Sequence, residues 1–296
     1  MKQITVISGK GGTGKTVLTA AFATLAKSKV MADCDVDASD LHLLLHPQIK
    51  ETHDFRGGMK AMLDAEKCTG CGECLRVCRF DAISEESQND GGHPKVIIDS
   101  IACEGCQVCA LVCPTKAIRM QENVAGQWYL SDTRYGPMVH ARLGIAQENS
   151  GKLVAEVRKQ AQKLAIEKDN DLIISDGPPG IGCPVISSLS GTDLALLVTE
   201  PTLSGQHDLE RVIEVCRHFE VPALVCINKC DINADNKRHI REYCHEKGLE
   251  IAGEIPYDNK VTEAMVRGKT VVEFCSDGSA RNIRQIWQKV GNRLID

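Results

Sequence analysis

Lys2–Ser8 alternates into an apolar strand, glycines follow, and Lys15–Lys29 reads as an Ala-rich helix. Lys29–Cys34 predicts a second short strand. Leu153, Val157, Ala161 and Leu164 recur at helical spacing ahead of Asp171–Asp176, a buried-type strand centred on Leu172, Ile173 and Ile174. Strands at Leu194–Thr199, Ala223–Asn228 and Glu250–Ile255 then alternate with helices at about Gln206–Phe219 and Ala234–Lys247, and terminal helices follow. Such alternation predicts an α/β fold with a mostly parallel, doubly wound sheet covered on both faces.

The rhythm breaks from Arg56 to about Asn123. Within that stretch Cys68–Ile83 repeats as Cys103–Ile118, cysteine for cysteine and with the same closing Ala-Ile, which marks an internal duplication. The intervening Glu85–Pro94 is polar and Gly-rich and predicts a surface loop. A segment this short buries too little apolar area to stand alone, so a metal staple is expected. The expected organisation is 1–55 and 124–296 as one α/β core, with 56–123 as a small inserted α+β domain.

Composition narrows the setting. With 43% apolar and 25% charged residues a packed core is available, and a net charge of −5 without a Lys/Arg-rich stripe argues against nucleic acid as a partner. No run approaches the ~20 apolar residues that span a bilayer, so no stable membrane insertion is expected. A cleavable leader would consume the first strand and the glycine loop. Fifteen cysteines in a chain of this size and type point to a reducing cytoplasm and metal–thiolate chemistry rather than disulfides. Seven of them (Cys34, Cys183, Cys216, Cys226, Cys230, Cys244, Cys275) are scattered outside the duplicated runs, where packing is the expected role for most.

Gly9-Lys10-Gly11-Gly12-Thr13-Gly14-Lys15-Thr16 fits GxxxxGK[ST] between a strand and a helix. Glycines let backbone N–H groups converge on phosphate oxygens, the helix start adds positive potential, Lys15 neutralises the β- and γ-phosphates, and Thr16 ligates Mg²⁺. With Lys10 the loop reads KGGTGKT, which resembles the deviant Walker ATPases related to MinD, ParA and the nitrogenase iron protein.

That resemblance implies ATP/ADP and Mg²⁺ as ligands, ATP hydrolysis, and a nucleotide-sandwiched homodimer in which Lys10 reaches the partner's phosphates. Such a cation in trans resembles an arginine finger, worth on the order of 10³–10⁵ in rate. Asp35 matches the position that orients the attacking water, Asp33 lies near Mg²⁺, and Asp176 in Asp176-Gly-Pro-Pro-Gly180 holds Mg²⁺ through water. Asn228-Lys-Cys-Asp231 resembles the base-recognition segment, with Asn228 on the adenine edge, Asp231 nearby and backbone at Pro256. The NKxD pattern also occurs in GTPases. The likeness extends to Gly126–Thr133 and Glu148–Val154, the latter reading as a loop and helix start. Cys183 follows the second switch, where iron-protein relatives carry a cluster cysteine; a structural or redox-sensitive thiol is the alternative. Ile283, Ile286, Trp287, Val290 and Leu294 share a face of the last helix, which suits either core packing or the membrane-binding helix of MinD.

The duplicated runs have the C-x₂-C-x₂-C-x₃-C spacing of bacterial two-cluster ferredoxins. That likeness implies two [4Fe–4S] clusters, one on Cys68, Cys71, Cys74 and Cys113 and the other on Cys103, Cys106, Cys109 and Cys78. Zinc is the plainer alternative. Arg79 stands where proline is usual. The combination resembles MinD-superfamily ATPases with an inserted ferredoxin domain. It implies a switch coupled to electron transfer with a redox or metal-cofactor partner protein. Alternatives are an assembly or delivery factor for metal–sulfur cofactors, and a positioning ATPase with a redox sensor.

Overall fold

The protein is described from a computed structural model over residues 1–86, 95–144, 147 and 150–295. In chain order the elements begin with β1 (Lys2–Ser8), α1 (Lys15–Leu25), β2 (Lys29–Asp33), α2 (Leu41–Leu45) and β3 (Gln48–Leu63). Then come α3 (Glu73–Val77), β4 (Ile83–Glu86), β5 (Lys95–Ile98), α4 (Val108–Val112), β6 (Ile118–Thr133) and β7 (Gly136–Leu143). The remainder is α5 (Ser150–Glu167), β8 (Leu172–Pro179), α6 (Cys183–Leu189), β9 (Leu194–Thr199), α7 (Leu203–His218) and β10 (Ala223–Asn228). It ends with α8 (Ala234–Glu246), β11 (Glu250–Ile255), α9 (Asn259–Val266), α10 (Val271–Phe274) and α11 (Ser279–Ile295).

A nine-stranded sheet has the order β11-β10-β9-β1-β8-β2-β7-β6-β3, parallel from β11 through β7. Every residue of β1 after Lys2 is buried because the strand has neighbours on both edges and helices on both faces. On one face α1 and α11 pack Phe22, Ile283, Ile286 and Val290 against Ile4, Ile174 and Leu196. On the other, α6 to α8 pack Leu189, Ile213 and Ile240 against Ile7, Leu197 and Val225. Because the parallel strands are in register, their carboxyl ends place Asp33 beside Asp176 and Ile227 beside Thr199 at one rim. That rim is where open α/β sheets bind ligands.

The chain divides into two compact units. The first comprises 1–53, 128–142 and 150–296; the second comprises 54–127 and 143–149. Arg56 and Asn123, where the expected insert begins and ends, lie inside the continuous strands β3 and β6 rather than in linkers. Within the second unit, β4 pairs antiparallel with β5, from Ile83↔Ile98 to Glu86↔Lys95. The duplication is visible in the backbone: left-handed residues recur at Gly70 and Gly105, Gly72 and Gln107, Asp81 and Lys116. Each half thus makes the same turn, short helix and turn.

Several boundaries differ from the sequence pattern. The first helix stops at Leu25, because Ala26 is already extended and the chain must reach β2 at Lys29. β8 runs on through Pro179. Glu85 and Glu86 close β4, whereas the rest of the expected 85–94 loop lies outside the described residues. Likewise 148–149 lie outside them, and α5 starts at Ser150. The apolar face of α11 is core: Ile283, Ile286, Val290 and Leu294 are buried, and Trp287 meets Phe22 with ring centroids 4.8 Å apart. Among the described residues no helix is long and apolar enough to cross a membrane. Cys34, Cys216, Cys226, Cys230 and Cys244 are buried packing thiols, while Cys183 is exposed at the start of α6.

Candidate functional site

Gly14, left-handed at φ 89°, turns the loop after β1 into the N-terminus of α1. Lys15 is buried there, with Nζ 3.2 Å from Asp176 Oδ1 and 3.4 Å from Asp35 Oδ2. Burial alone would lower this ammonium, but Asp176, Asp35 and Asp33 together hold its pKa above the ordinary value. The Thr16 hydroxyl donates to Asp176 Oδ2 at 2.8 Å, and Thr19 donates to Asp176 Oδ1 at 2.9 Å. Thr19 is a participant the sequence reading missed; its place one helical turn beyond Thr16 was the available signal. Among the described residues the buried Thr13 hydroxyl has no hydrogen-bond partner, an arrangement that suits a polar ligand in the loop.

Asp33 accepts from Ser39 Oγ at 2.6 Å and from the Asp35 backbone N–H at 3.2 Å. Burial, then the neighbouring Asp176 charge, pushes the Asp33 carboxyl up to about 8. Asp35 is also raised, by burial first, against the opposing pull of Lys15. Two buried carboxylates beside a threonine hydroxyl form an oxygen-only donor set of the kind that suits Mg²⁺.

Behind the loop lies a solvent-open cavity bordered by Gly14, Val17, Asn228, Lys229, Pro256 and Tyr257, among others. Apolar walls with a convergent amide suit a flat heterocycle. Asn228 Nδ2 donates to the Thr13 carbonyl at 2.7 Å, and Lys229 Nζ donates to the Gly12 carbonyl at 3.0 Å. Asp231 is not among the residues bordering the cavity; its Oδ1 accepts from the Tyr257 N–H at 2.7 Å and fixes the turn after β11. Lys10 turns to Glu200, with Nζ 2.6 Å from Oε1. Glu200 is the second residue missed from sequence, and a lone acid after a strand carries no motif.

The second unit has its own arrangement. Cys68, Cys71, Cys74 and Cys113 border one small hollow, and Cys78, Cys103, Cys106 and Cys109 border another. Each run of four therefore gives its first three thiols to one cavity and its fourth to the other. Apolar residues including Ala61, Ile83, Val96 and Ile118 pack around both sets. Cys74 and Cys109 are raised by burial; Cys113 is lowered despite burial, because Thr115 and the backbone N–H groups of Ala117 and Ile118 favour its thiolate. Among the described residues no three His, Cys, Asp or Glu side chains converge closely enough to hold one metal ion.

A phosphate loop at the carboxyl rim of a parallel sheet, with a buried Lys–Asp–Thr centre and a base-sized cavity, defines a P-loop nucleotide-binding ATPase. The CobQ/CobB/MinD/ParA nucleotide binding domain matches residues 4–271, and the chain belongs to that family. An uncharacterized protein of Methanocaldococcus jannaschii is 32% identical over 97% of this chain and 96% of its own length. The iron-sulfur cluster carrier protein of Pyrococcus furiosus is 25% identical over 49% of this chain and 53% of its own length. The solved MinD cell division protein of Aquifex aeolicus superposes with a TM-score of 0.58 at 20% identity, covering 99% of this chain and 97% of that one. A MinD structure complexed with Mg-ADP, from Pyrococcus horikoshii, gives a TM-score of 0.57 at 17% identity over 98% and 95% of the two chains.

Proposed function

We propose that the chain is an ATP-driven dimeric switch that carries two [4Fe–4S] clusters and lets nucleotide state govern electron exchange with a partner protein. The observation that carries the reading is the interleaving of two thiol quartets around two separate cavities, in a chain whose other unit is a P-loop ATPase. Cys68, Cys71, Cys74 and Cys113 would hold one cluster, and Cys103, Cys106, Cys109 and Cys78 the other. Four thiols around a volume suit a multi-iron cube better than a single zinc, which draws its donors to about 2.3 Å of one point. Such clusters, when bound, supply one-electron transfer.

In the ATPase unit, Lys15 neutralises the transferred phosphate and Thr16, Asp33 and Asp176 hold Mg²⁺. The Asp33 carboxyl, raised first by burial and then by the neighbouring Asp176 charge, is one that a divalent cation would help to ionise. Asp35, within 3.4 Å of Lys15, orients the attacking water, and Lys10 completes a partner's site across the homodimer. Asn228 and Pro256 border the adenine cavity, and Asp231 supports it through Tyr257. ATP acts only through its different affinity for separate and paired subunits.

The test uses anaerobically purified, iron-loaded protein and its redox partner captured with Asp35→Asn. Wild type should change the rate of partner reduction when ATP is added, and Lys15→Ala should not. Equal rates with and without ATP in wild type would refute the coupling. A second reading, delivery of a metal–sulfur cofactor, is favoured by the match to iron-sulfur cluster carrier proteins over about half the chain. It predicts iron moving to an apo-protein during turnover, and iron retained through many turnovers would exclude it.

A further inference from the structure

Glu200 follows β9, and its nearly buried carboxylate is shared by two cations. Lys10 Nζ lies 2.6 Å from Oε1, and Lys229 Nζ lies 2.9 Å from Oε2. Lys10 also donates to Thr202 Oγ1 at 3.1 Å and to Ser204 Oγ at 2.9 Å. Thr202 Oγ1 is itself fixed, accepting the Gly205 N–H at 3.0 Å as the cap of α7. One carboxylate and two hydroxyls from a single turn therefore converge on the Lys10 ammonium. Although burial works against ionisation, the two lysines hold the Glu200 carboxyl below its ordinary range.

We propose that Glu200 is a positioning residue for Lys10: it binds the ammonium within its own chain and gives it up only to the phosphate charge of a second subunit. Lys229 makes the exchange feasible. When Lys10 leaves, Glu200 keeps one cation, so the release does not strand a buried charge. Lys229 also contacts the Gly12 carbonyl and borders the base cavity, so the same carboxylate touches both the trans-acting lysine and the wall of the nucleotide site. The consequence for assembly rests on the dimer reading above; the hold on Lys10 does not.

The experiment labels amines of the iron-loaded full chain, without nucleotide, using an acetylating succinimidyl ester, and reads the Lys10 peptide by mass spectrometry. Glu200→Gln should speed acetylation of Lys10 by roughly tenfold, the loss of one charge-assisted bond. Glu200→Asp should fall between, and Ser204→Ala, which removes only an exposed neutral hydroxyl partner, should speed the reaction less than Glu200→Gln does. Sedimentation velocity with ATP should show Glu200→Gln dimerising at a protein concentration roughly tenfold lower than wild type, for the same reason. An unchanged Lys10 rate in folded Glu200→Gln or Glu200→Asp overturns the hold. Faster labelling with unchanged dimerisation overturns its role in assembly. A wild type that never dimerises with ATP defeats the dimer reading instead, while the labelling rates still decide the hold.

Discussion

Asn228 ties the base-side strand β10 to the phosphate loop through its 2.7 Å bond to the Thr13 carbonyl, and the same amide crowds Gly14. A Cβ at Gly14 would press into Asn228 Nδ2, and φ there is left-handed. Gly14→Ala should therefore incur about 1–2 kcal/mol of backbone strain plus the clash, and weaken nucleotide binding by more than about tenfold. Adding Asn228→Ala should relieve the clash but leave the strain. Calorimetric titration with a slowly hydrolysed ATP analogue on both variants checks this; equal losses in single and double variants would show that the clash is unimportant.

Asp33 sets a pH dependence. Its folded pKa is raised to about 8 from the ordinary carboxylate value near 4, so the folded chain without Mg²⁺ binds the extra proton across that window. The Asp33 contribution to stability therefore falls as pH rises from about 4 to about 8. Mg²⁺ with nucleotide favours the ionised carboxylate, so its stabilising effect should grow with pH over the same interval. Asp33→Asn should flatten the trend. Melting temperatures at successive pH values, with and without Mg-nucleotide, provide the measurement.

The interleaved quartets predict which site fails when one thiol is lost. Cys113→Ser should damage the cavity bordered by Cys68, Cys71 and Cys74, although Cys113 belongs to the other run. Cys78→Ser should do the reverse. Each should lower bound iron by about half while the other site keeps its electron paramagnetic resonance signal after reduction. Loss of the signal from the run that contains the substituted cysteine would contradict the arrangement.

Gln107 repeats the backbone of Gly72, with φ 70° beside 71°, but carries a side chain. Releasing the left-handed strain outweighs the extra unfolded entropy of glycine, so Gln107→Gly should stabilise the second unit by about 0.5–1 kcal/mol. A denaturant midpoint moving upward with unchanged slope would bear this out.

Legibility in the sequence followed burial. β9, β10 and β11 have the bounds their patterns predict, because each is a short buried run closed by turn residues. β3 and β6 went unread as strands: of the sixteen residues in β3 only Phe55, Gly57 and Ala61 are buried, too sparse to print an alternation. Lys15 and Thr16 stood out because they share one loop motif, and Asp33 and Asp35 because they close one strand; the parallel pairing of β8 with β1 and β2 then brings Asp176 to them. Glu200 had no motif to mark it. Its pairing with Lys10 and Lys229 exists only once distant strands lie side by side.

The crossing of Cys78 and Cys113 makes the two halves of the repeat depend on one another. Either half alone offers three thiols to its own hollow and sends the fourth across to its sibling. Neither sulfur quartet can therefore be completed by one half without the other.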